Sequence, residues 1–349
     1  MNKIAETPTS DPEAYDYYLR GRFLQNQSAD EFRTDVDRTG LLGSIQYYEK
    51  AIAIDTNFAE AYAKLAGAWF SLSGWGYLQS PEGFLKAKDL STKALKIDPD
   101  CEEAHKVKGD IHFWNERNFE EGYKEYLTCL RYKPDYPPVY QSCAQLLMIT
   151  GPIEESRKFI DNALKLESYF WVLYNLSAWI YYFEGKHKEA IEACSIARDL
   201  KSDYIFTDWL FFLNYSKLGE GNKAAKELRA IVQAAVKTGK YDNKRLIAFD
   251  RSGIEGLFKV LIDINNNNPV PAAGLSGHPY FIAWWYAIMG DRENSIYWLE
   301  KNMQAGNKAS WYFDQIAQNP DFDILRDDAR FLAIIEKSGL LPYHTRKSR

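Results

Sequence analysis

A repeat of 34 residues is the feature that most limits what this chain of 349 residues can fold into. Gly151, Gly185 and Gly219 lie 34 residues apart, and a small residue follows each of them five positions later. Because glycine accepts the left-handed backbone that ends a helix, each of these glycines is expected to end one helix just before the next begins. A period of this length is typical of two-helix repeats that stack side by side, and it differs from the periods of propeller blades and leucine-rich repeats.

The same register extends towards the N-terminus and predicts six consecutive helix pairs over residues 11–236. In the second helix of the repeats, alanine occupies the position where two helices cross closely: Ala51, Ala94, Ala163 and Ala197. A larger side chain stands three residues earlier and fills the space beside this position, as Tyr48 does before Ala51 and, in unit three, Tyr126 before Cys129. Units one and two carry extra residues between their helices, around Asn26–Gly40 and Ser73–Ser80, and unit three is one residue longer than the period.

Beyond the sixth pair the pattern becomes less regular. We expect residues 1–10 to be a disordered N-terminus, 237–279 an irregular helix followed by an Asn-, Pro- and Gly-rich linker, and 342–349 a frayed tail. Residues 280–341 rebuild a seventh pair and a final helix that buries Phe331, Ile334 and Ile335 and caps the array. The predicted fold class is all-α, a right-handed α-solenoid of about seven helix–turn–helix repeats with a C-terminal capping helix.

Three segments resemble a known family. They are "DPEAYDYYLRGR" (11–22), "AIAIDTNFAEAYAKLAGAW" (51–69) and the tail from "YAIMGDRENSIYWLEKN" to "NPDFDILRDDARFLAII" (286–335). The chain resembles the tetratricopeptide repeat (TPR) superfamily, and more narrowly the regulatory TPR regions fused to bacterial winged-helix transcriptional regulators and nucleotidyl (adenylate or guanylate) cyclases. The resemblance implies a regulatory module, either a stand-alone homologue or part of a longer protein with an effector domain. Ala329 departs from the family tail, which usually has proline there.

Composition argues against two classes of partner. The formal charge is −5 and basic residues are not clustered, so binding of a nucleic acid backbone by this chain is not expected. The longest ring-and-aliphatic run, Tyr169–Phe183, is too short to cross a bilayer, which needs about 20 apolar residues. Met1–Ser10 lack the apolar stretch of a signal peptide. We therefore expect a cytoplasmic protein with no membrane partner.

No group of residues predicts catalysis, a cofactor or a metal site. His105 and His112 are seven residues apart on one helix, but zinc needs three or four converging ligands, and both occupy positions where the repeats pack aromatic side chains. The four cysteines are too few for a disulfide framework, and only Cys101, in a loop between repeats, is expected to be reactive. The chain is predicted not to be an enzyme.

The first helices of the repeats are expected to line a concave groove that binds a peptide or protein segment. Rigid aromatic side chains beside amides, which hydrogen-bond an extended backbone, suit peptide recognition. The candidate groove residues are Arg22, Lys106, Phe113, Gln141, Gln145, Asn175, Trp179, Tyr182, Trp209, Leu213 and Trp284. Any one of these rings can equally be a packing residue between helices, and the groove can equally hold a segment of the same chain.

The function predicted from the sequence is that of a non-catalytic protein–protein interaction scaffold, a regulatory or sensor module. The alternatives are a small-ligand sensor with a pocket in the C-terminal repeats, an all-α enzyme and a self-assembling structural protein. An enclosed pocket between the C-terminal repeats favours the small-ligand sensor, and an open groove favours peptide binding.

Overall fold

The computed structural model describes residues 8–28, 38–74, 81–201, 204–238, 253–267, 279–305 and 311–344. Every regular element in these ranges is helical, and none of the described residues forms a β-strand. The predicted all-α fold of helix–turn–helix repeats is therefore confirmed. The chain divides into two compact units, residues 1–143 and residues 144–349, which we call unit A and unit B.

Unit A consists of consecutive helix pairs. Its helices are α1 (Pro12–Ser28), α2 (Arg38–Ile54), α3 (Ala59–Gly74), α4 (Glu82–Ile97), α5 (Glu102–Asp110) and α6 (Phe119–Tyr132). Each odd-numbered helix packs on the even-numbered helix that follows it. Helix α7 (Pro137–Thr150) begins in unit A and ends in unit B.

Glycines of the first helices allow tyrosines of the second helices to pack against the backbone. The ring of Tyr48 covers Gly21, and a Cβ atom added to Gly21 would lie 2.7 Å from it. The ring of Tyr126 covers Gly109 in the same way, at 2.5 Å. Both tyrosines are fully buried. The tyrosines Tyr48 and Tyr126 of the sequence pattern thus mark points at which the paired helices approach closely, opposite glycines that the pattern did not include.

A short π-helical turn accommodates the extra residue of the third repeat. Helix α5 continues directly into this turn at Ile111–Asn115, and the Glu116 amide donates to the Ile111 carbonyl oxygen at 2.9 Å, five residues back. A π-turn of this kind inserts one residue into an α-helix while the flanking turns keep their register. The repeat therefore absorbs its thirty-fifth residue inside the first helix.

Unit B continues the pairs and ends in a less regular segment. Its helices are α8 (Ile153–Leu166), α9 (Trp171–Glu184), α10 (His187–Leu200), α11 (Ile205–Lys217), α12 (Gly221–Thr238), α13 (Gly253–Asn267), α14 (Pro279–Ile288), α15 (Arg292–Gln304), α16 (Trp311–Asp314) and α17 (Ala329–Lys337). Between α16 and α17 the chain forms two 3-10 segments, Gln315–Ala317 and Pro320–Leu325. The second of these lies next to two of the candidate groove residues, Tyr182 and Trp284. Together with Asn319, the residue before it, it spans residues 319–325, which we call the C-terminal segment.

A serine links the two helices of a pair in two different repeats of unit B. Ser156 donates a hydrogen bond to the Ala144 carbonyl oxygen at 2.7 Å, and Ser295 donates to the Ala283 carbonyl oxygen at 2.9 Å. Both serines are fully buried and follow a glycine by five residues. A small hydroxyl that finds its acceptor on the facing helix lets the two backbones approach closely without leaving a buried polar atom unpaired.

The last helix packs as the sequence pattern indicates. Phe331, Ile334 and Ile335 of α17 are buried, and the Asp328 side chain caps the helix by accepting a hydrogen bond from the Arg330 amide. Several sequence expectations fall on residues 1–7, 29–37, 75–80, 239–252, 268–278 and 345–349. The predicted N-terminus, insert loops, linker and tail thus lie wholly or partly outside the described residues.

Candidate functional site

Among the candidate groove residues of unit A, Lys106 lies in a network of charged and hydroxyl groups. The Lys106 ammonium contacts the Asp110 carboxylate at 2.6 Å, and the Tyr126 hydroxyl donates to the same carboxylate at 2.8 Å. Phe113 is buried, whereas Gln141 is half-buried on α7. Arg22 is exposed, with its guanidinium carbon 5.7 Å from the centre of the Tyr18 ring.

The pKa values of two acidic side chains of α5 in this network are shifted in opposite directions. Burial acts to raise the pKa of Glu103, but the ammonium groups of Lys64 and Lys106 and the Tyr136 hydroxyl outweigh it and lower the pKa to about 2. For Asp110 burial is the dominant effect, and its pKa lies above the usual value despite the adjacent lysine. Glu103 is therefore a stable anion whose charge is already neutralised by side chains of unit A.

The three tryptophans among the candidate groove residues, Trp179, Trp209 and Trp284, lie together in unit B. The ring centre of Trp284 lies 5.7 Å from that of Trp179 and 5.3 Å from that of Trp209. All three side chains are almost completely buried. The structure thus brings these candidate residues together from helices α9, α11 and α14, and we call them the indole cluster.

The carboxylate of Asp321 is bound beside the indole cluster. It accepts hydrogen bonds from the Tyr182 hydroxyl at 2.6 Å and the Trp284 indole at 2.8 Å, and the Lys217 ammonium lies 2.9 Å away. Asp321 belongs to the C-terminal segment and is 139 residues from Tyr182. The chain's own C-terminal segment therefore covers this part of the predicted groove, one of the options that the sequence left open.

A cleft of about 290 Å³ remains open next to this carboxylate. It is lined by Tyr182, Gly185, His187, Lys217, Pro320, Asp323 and Ile324. The Lys217 side chain is 40% exposed, so its ammonium reaches both Asp321 and solvent. Of the residues predicted from the sequence, only Tyr182 borders this cleft.

The remaining candidates of unit B are arranged differently. Asn175 is buried and donates to the Thr207 hydroxyl at 2.6 Å, and Leu213 is buried. Gln145 is half-buried on α7. Whether these residues, or those of unit A, contribute to ligand binding stays a prediction.

The periodicity missed Lys217, His187 and the C-terminal segment. Arg326, just after that segment, is buried and donates to the carbonyl oxygens of Ala317 at 2.7 Å and Asn319 at 2.9 Å, which fixes the segment in place. The sequence signal was Asn319 followed by Pro320, a helix-start pattern that lies outside the repeat. The pattern marks a turn of helix but not the surface that the turn covers.

In the described part of the chain the cysteines are buried and His105 is already hydrogen-bonded. All four cysteines are buried, and burial raises the pKa of Cys101 to about 12, so the prediction that Cys101 is reactive was wrong. His105 is held between Glu125 and the Pro99 carbonyl oxygen. Among the described residues, no three or more His, Cys, Asp or Glu side chains lie together in a way that could hold a metal ion. None of the described helices has the length and apolar character to span a bilayer.

Comparisons with known proteins identify the fold. No family model matches the chain, and no curated protein matches it in sequence. Among solved structures, the chain is similar to PilW, a type IV pilus biogenesis factor, with a TM-score of 0.51, 14% identity and coverage of 64% of this chain and 94% of PilW. A tetratricopeptide repeat protein from Parabacteroides merdae ATCC 43184 covers 82% of this chain, with 94% of its own length matched, at a TM-score of 0.45 and 13% identity. At such identities the likeness is one of fold alone.

Proposed function

We propose that the chain is a non-catalytic protein-interaction scaffold and that a peptide segment of its partner binds unit B at the cleft beside Lys217. The observation that supports this is the open cleft itself, which adjoins a surface where Tyr182, Trp284 and Lys217 already bind a carboxylate of the 3-10 helical C-terminal segment. Peptide-binding surfaces combine rigid aromatic groups with a few fixed polar groups in this manner.

The state of the indole cluster decides which part of the predicted groove a partner can use. The indole rings contact each other and are 1–3% exposed, so they have little surface left for a ligand. The cleft is bounded by the ends of α9 and α11 on one side and by the C-terminal segment on the other. We therefore assign partner contact to the cleft and a supporting role to the indole cluster.

Selection of displayed peptides on the purified chain tests this function. Peptides enriched on the wild type are measured against the double variant His187→Ala/Lys217→Ala, which removes two lining side chains of the cleft. The matched control is Lys223→Ala, because Lys223 is a 62% exposed lysine on the neighbouring helix α12. We expect the peptides to bind the wild type and the control and to lose binding to the double variant. Equal binding to the double variant would place the interaction elsewhere.

A small-ligand sensor is the second candidate, and the size of the cleft supports it. At about 290 Å³ the cleft is close to the lower end of the range of small-molecule pockets, about 300–1,000 Å³. A soluble compound that binds the wild type, together with failure of every displayed peptide to bind, would favour the sensor over the peptide scaffold.

A regulatory role within a larger signalling protein is the finer part of the proposal. It is supported by the resemblance of the segments at 11–22, 51–69 and 286–335 to the TPR regions of bacterial winged-helix regulators and nucleotidyl cyclases. Determining the reading frame upstream of Met1 in the gene tests it directly. An effector domain encoded in the same frame supports the regulatory role, and a stop codon there removes this support.

A further inference from the structure

We propose that the cleft binds the carboxylate of an aspartate or glutamate side chain of the partner peptide, between the Lys217 ammonium and the His187 imidazole. This inference rests on the proposed function and specifies the chemistry of the partner. Both side chains line the cleft, and they come from different repeats, Lys217 from the end of α11 and His187 from the start of α10.

The Lys217 ammonium has hydrogen-bond donors that its contact with Asp321 does not use. An ammonium group carries three N–H bonds, and among the described residues its one ion-pair partner is Asp321 at 2.9 Å. Asp321 is 2% exposed in its side chain, whereas Lys217 is 40% exposed, so the lysine approaches the buried carboxylate from the solvent side. Its other N–H groups are available to a second acceptor in the cleft.

The contact of His187 with Asn214 occupies one of the two nitrogens of its ring. The Asn214 side chain donates through Nδ2 to the Leu210 carbonyl oxygen at 2.8 Å, so its Oδ1 is the atom that faces His187 Nδ1 at 2.9 Å. Nδ1 must then carry the hydrogen, and Nε2 lies on the opposite edge of the ring. Within the described ranges Nε2 has no hydrogen-bond partner. In the imidazolium form it is a donor for an anion in the cleft.

The acidic groups around the cleft are paired with cations of the chain. Asp321 is bound by Lys217, and Asp323 is contacted by the buried Arg326, whose Nε lies 3.3 Å from its Oδ1. A partner carboxylate bound between Lys217 and His187 would therefore lie near Asp321 and Asp323, whose negative charges are each paired with a cation. The contact with Asp321 also shows that the Lys217 ammonium donates to a carboxylate at the edge of the cleft.

Two isosteric compounds test whether the cleft selects a carboxylate. N-acetyl-aspartate N-methylamide and its neutral counterpart N-acetyl-asparagine N-methylamide are titrated into the full chain, and binding is followed through the imidazole NMR signals of His187. We expect the aspartate compound to bind about tenfold more tightly, the usual effect of one charge-assisted hydrogen bond at a partly exposed site. Equal binding of both compounds, or binding of neither, would overturn the inference.

Substitutions at Lys217 locate the effect. Lys217→Met is expected to abolish the tenfold preference, and Lys217→Arg to keep it because the charge remains. Lys223→Met, which removes an exposed lysine of α12, is the control and is expected to leave the preference unchanged. Preference that persists in Lys217→Met contradicts the inference. If the compounds bind equally while displayed peptides still require the cleft, only the carboxylate specificity fails and the peptide scaffold stands.

Discussion

Removal of the Asp321 carboxylate is expected to destabilise unit B and to release its C-terminal segment. In Asp321→Ala the Tyr182 hydroxyl and the Trp284 indole lose their acceptor, and both side chains are about 1% exposed, so water cannot replace it without rearrangement. Each buried donor left without a partner costs about 1–3 kcal/mol. Loss of the ion pair with Lys217 adds little to this cost, because the lysine side chain is 40% exposed. Because desolvation of the carboxylate offsets part of the loss, we expect about 2–4 kcal/mol in total.

Asp321→Asn distinguishes the lost hydrogen bonds from the lost side-chain volume. Its amide oxygen can still accept from the Trp284 indole, and its NH₂ group can donate to the Tyr182 oxygen, so we expect roughly half the effect of the alanine variant. Glu300→Gln is the matched control, because it removes one negative charge from an exposed position of α15 in the same unit. It is expected to change the free energy of unfolding by less than about 0.5 kcal/mol.

Hydrogen exchange read by peptide mass is the suitable assay, since helical repeat arrays unfold in parts and one melting curve averages over them. We expect faster exchange in residues 311–344 and in α14, which carries Trp284, with α1 to α6 unchanged. Exchange in Asp321→Ala that equals exchange in Glu300→Gln would refute the reasoning. It would mean that the two buried donors find other acceptors at no cost.

Three further predictions address unit A. Gly109→Ala puts a Cβ atom 2.5 Å from the Tyr126 ring, and we expect it to cost about 1–3 kcal/mol in thermal denaturation; Gly67→Ala, whose nearest neighbour atom is 3.6 Å away, should instead gain up to about 1 kcal/mol. The pKa of Glu103 is lowered to about 2 in the folded chain, so its stabilisation, about 3 kcal/mol, is complete above the unfolded pKa of about 4.3 and is lost as the pH falls towards 2; acid denaturation of Glu103→Gln should lack this component. Cys101, with its pKa raised to about 12, should react with a thiol reagent only after denaturation, and rapid labelling of this thiol in the native chain would contradict its burial.

The repeat period predicted the helix pairs because the residues that define a pair are local. Gly185 and Gly219 adopt positive φ angles of 76° and 74° at the ends of α9 and α11, where the period placed them. Their conformation depends only on neighbours within one turn of helix, so the sequence reports it directly. The buried serines are also local, because Ser156 and Ser295 each donate to a carbonyl oxygen twelve residues earlier in the same helix pair.

The arrangement of the candidate site depended on contacts that no period contains. Trp179, Trp209 and Trp284 could be placed on one stripe from helical spacing alone, and the structure does bring them together. The contact of the C-terminal segment with Trp284 and Tyr182 could not be foreseen, because Asp321 lies outside the repeats and reaches Tyr182 across 139 residues. A stripe of rings on a repeat helix therefore identifies a surface that must be covered, without indicating whether a partner or the chain itself covers it.

Lys217 is where the structural and binding roles of this surface can be separated. The indole cluster and Tyr182 are buried, so any change there alters the fold before it alters a ligand contact. Lys217 is only partly covered, with a side chain that is 40% exposed, whereas the Asp321 carboxylate that it contacts is 2% exposed and is also held by Tyr182 and Trp284. Substitution of this residue removes the ammonium group that lines the cleft while the two buried hydrogen bonds to Asp321 remain. A loss of partner binding in such a variant, with unchanged hydrogen exchange in the C-terminal segment, follows from a contact at the cleft and not from loss of the fold.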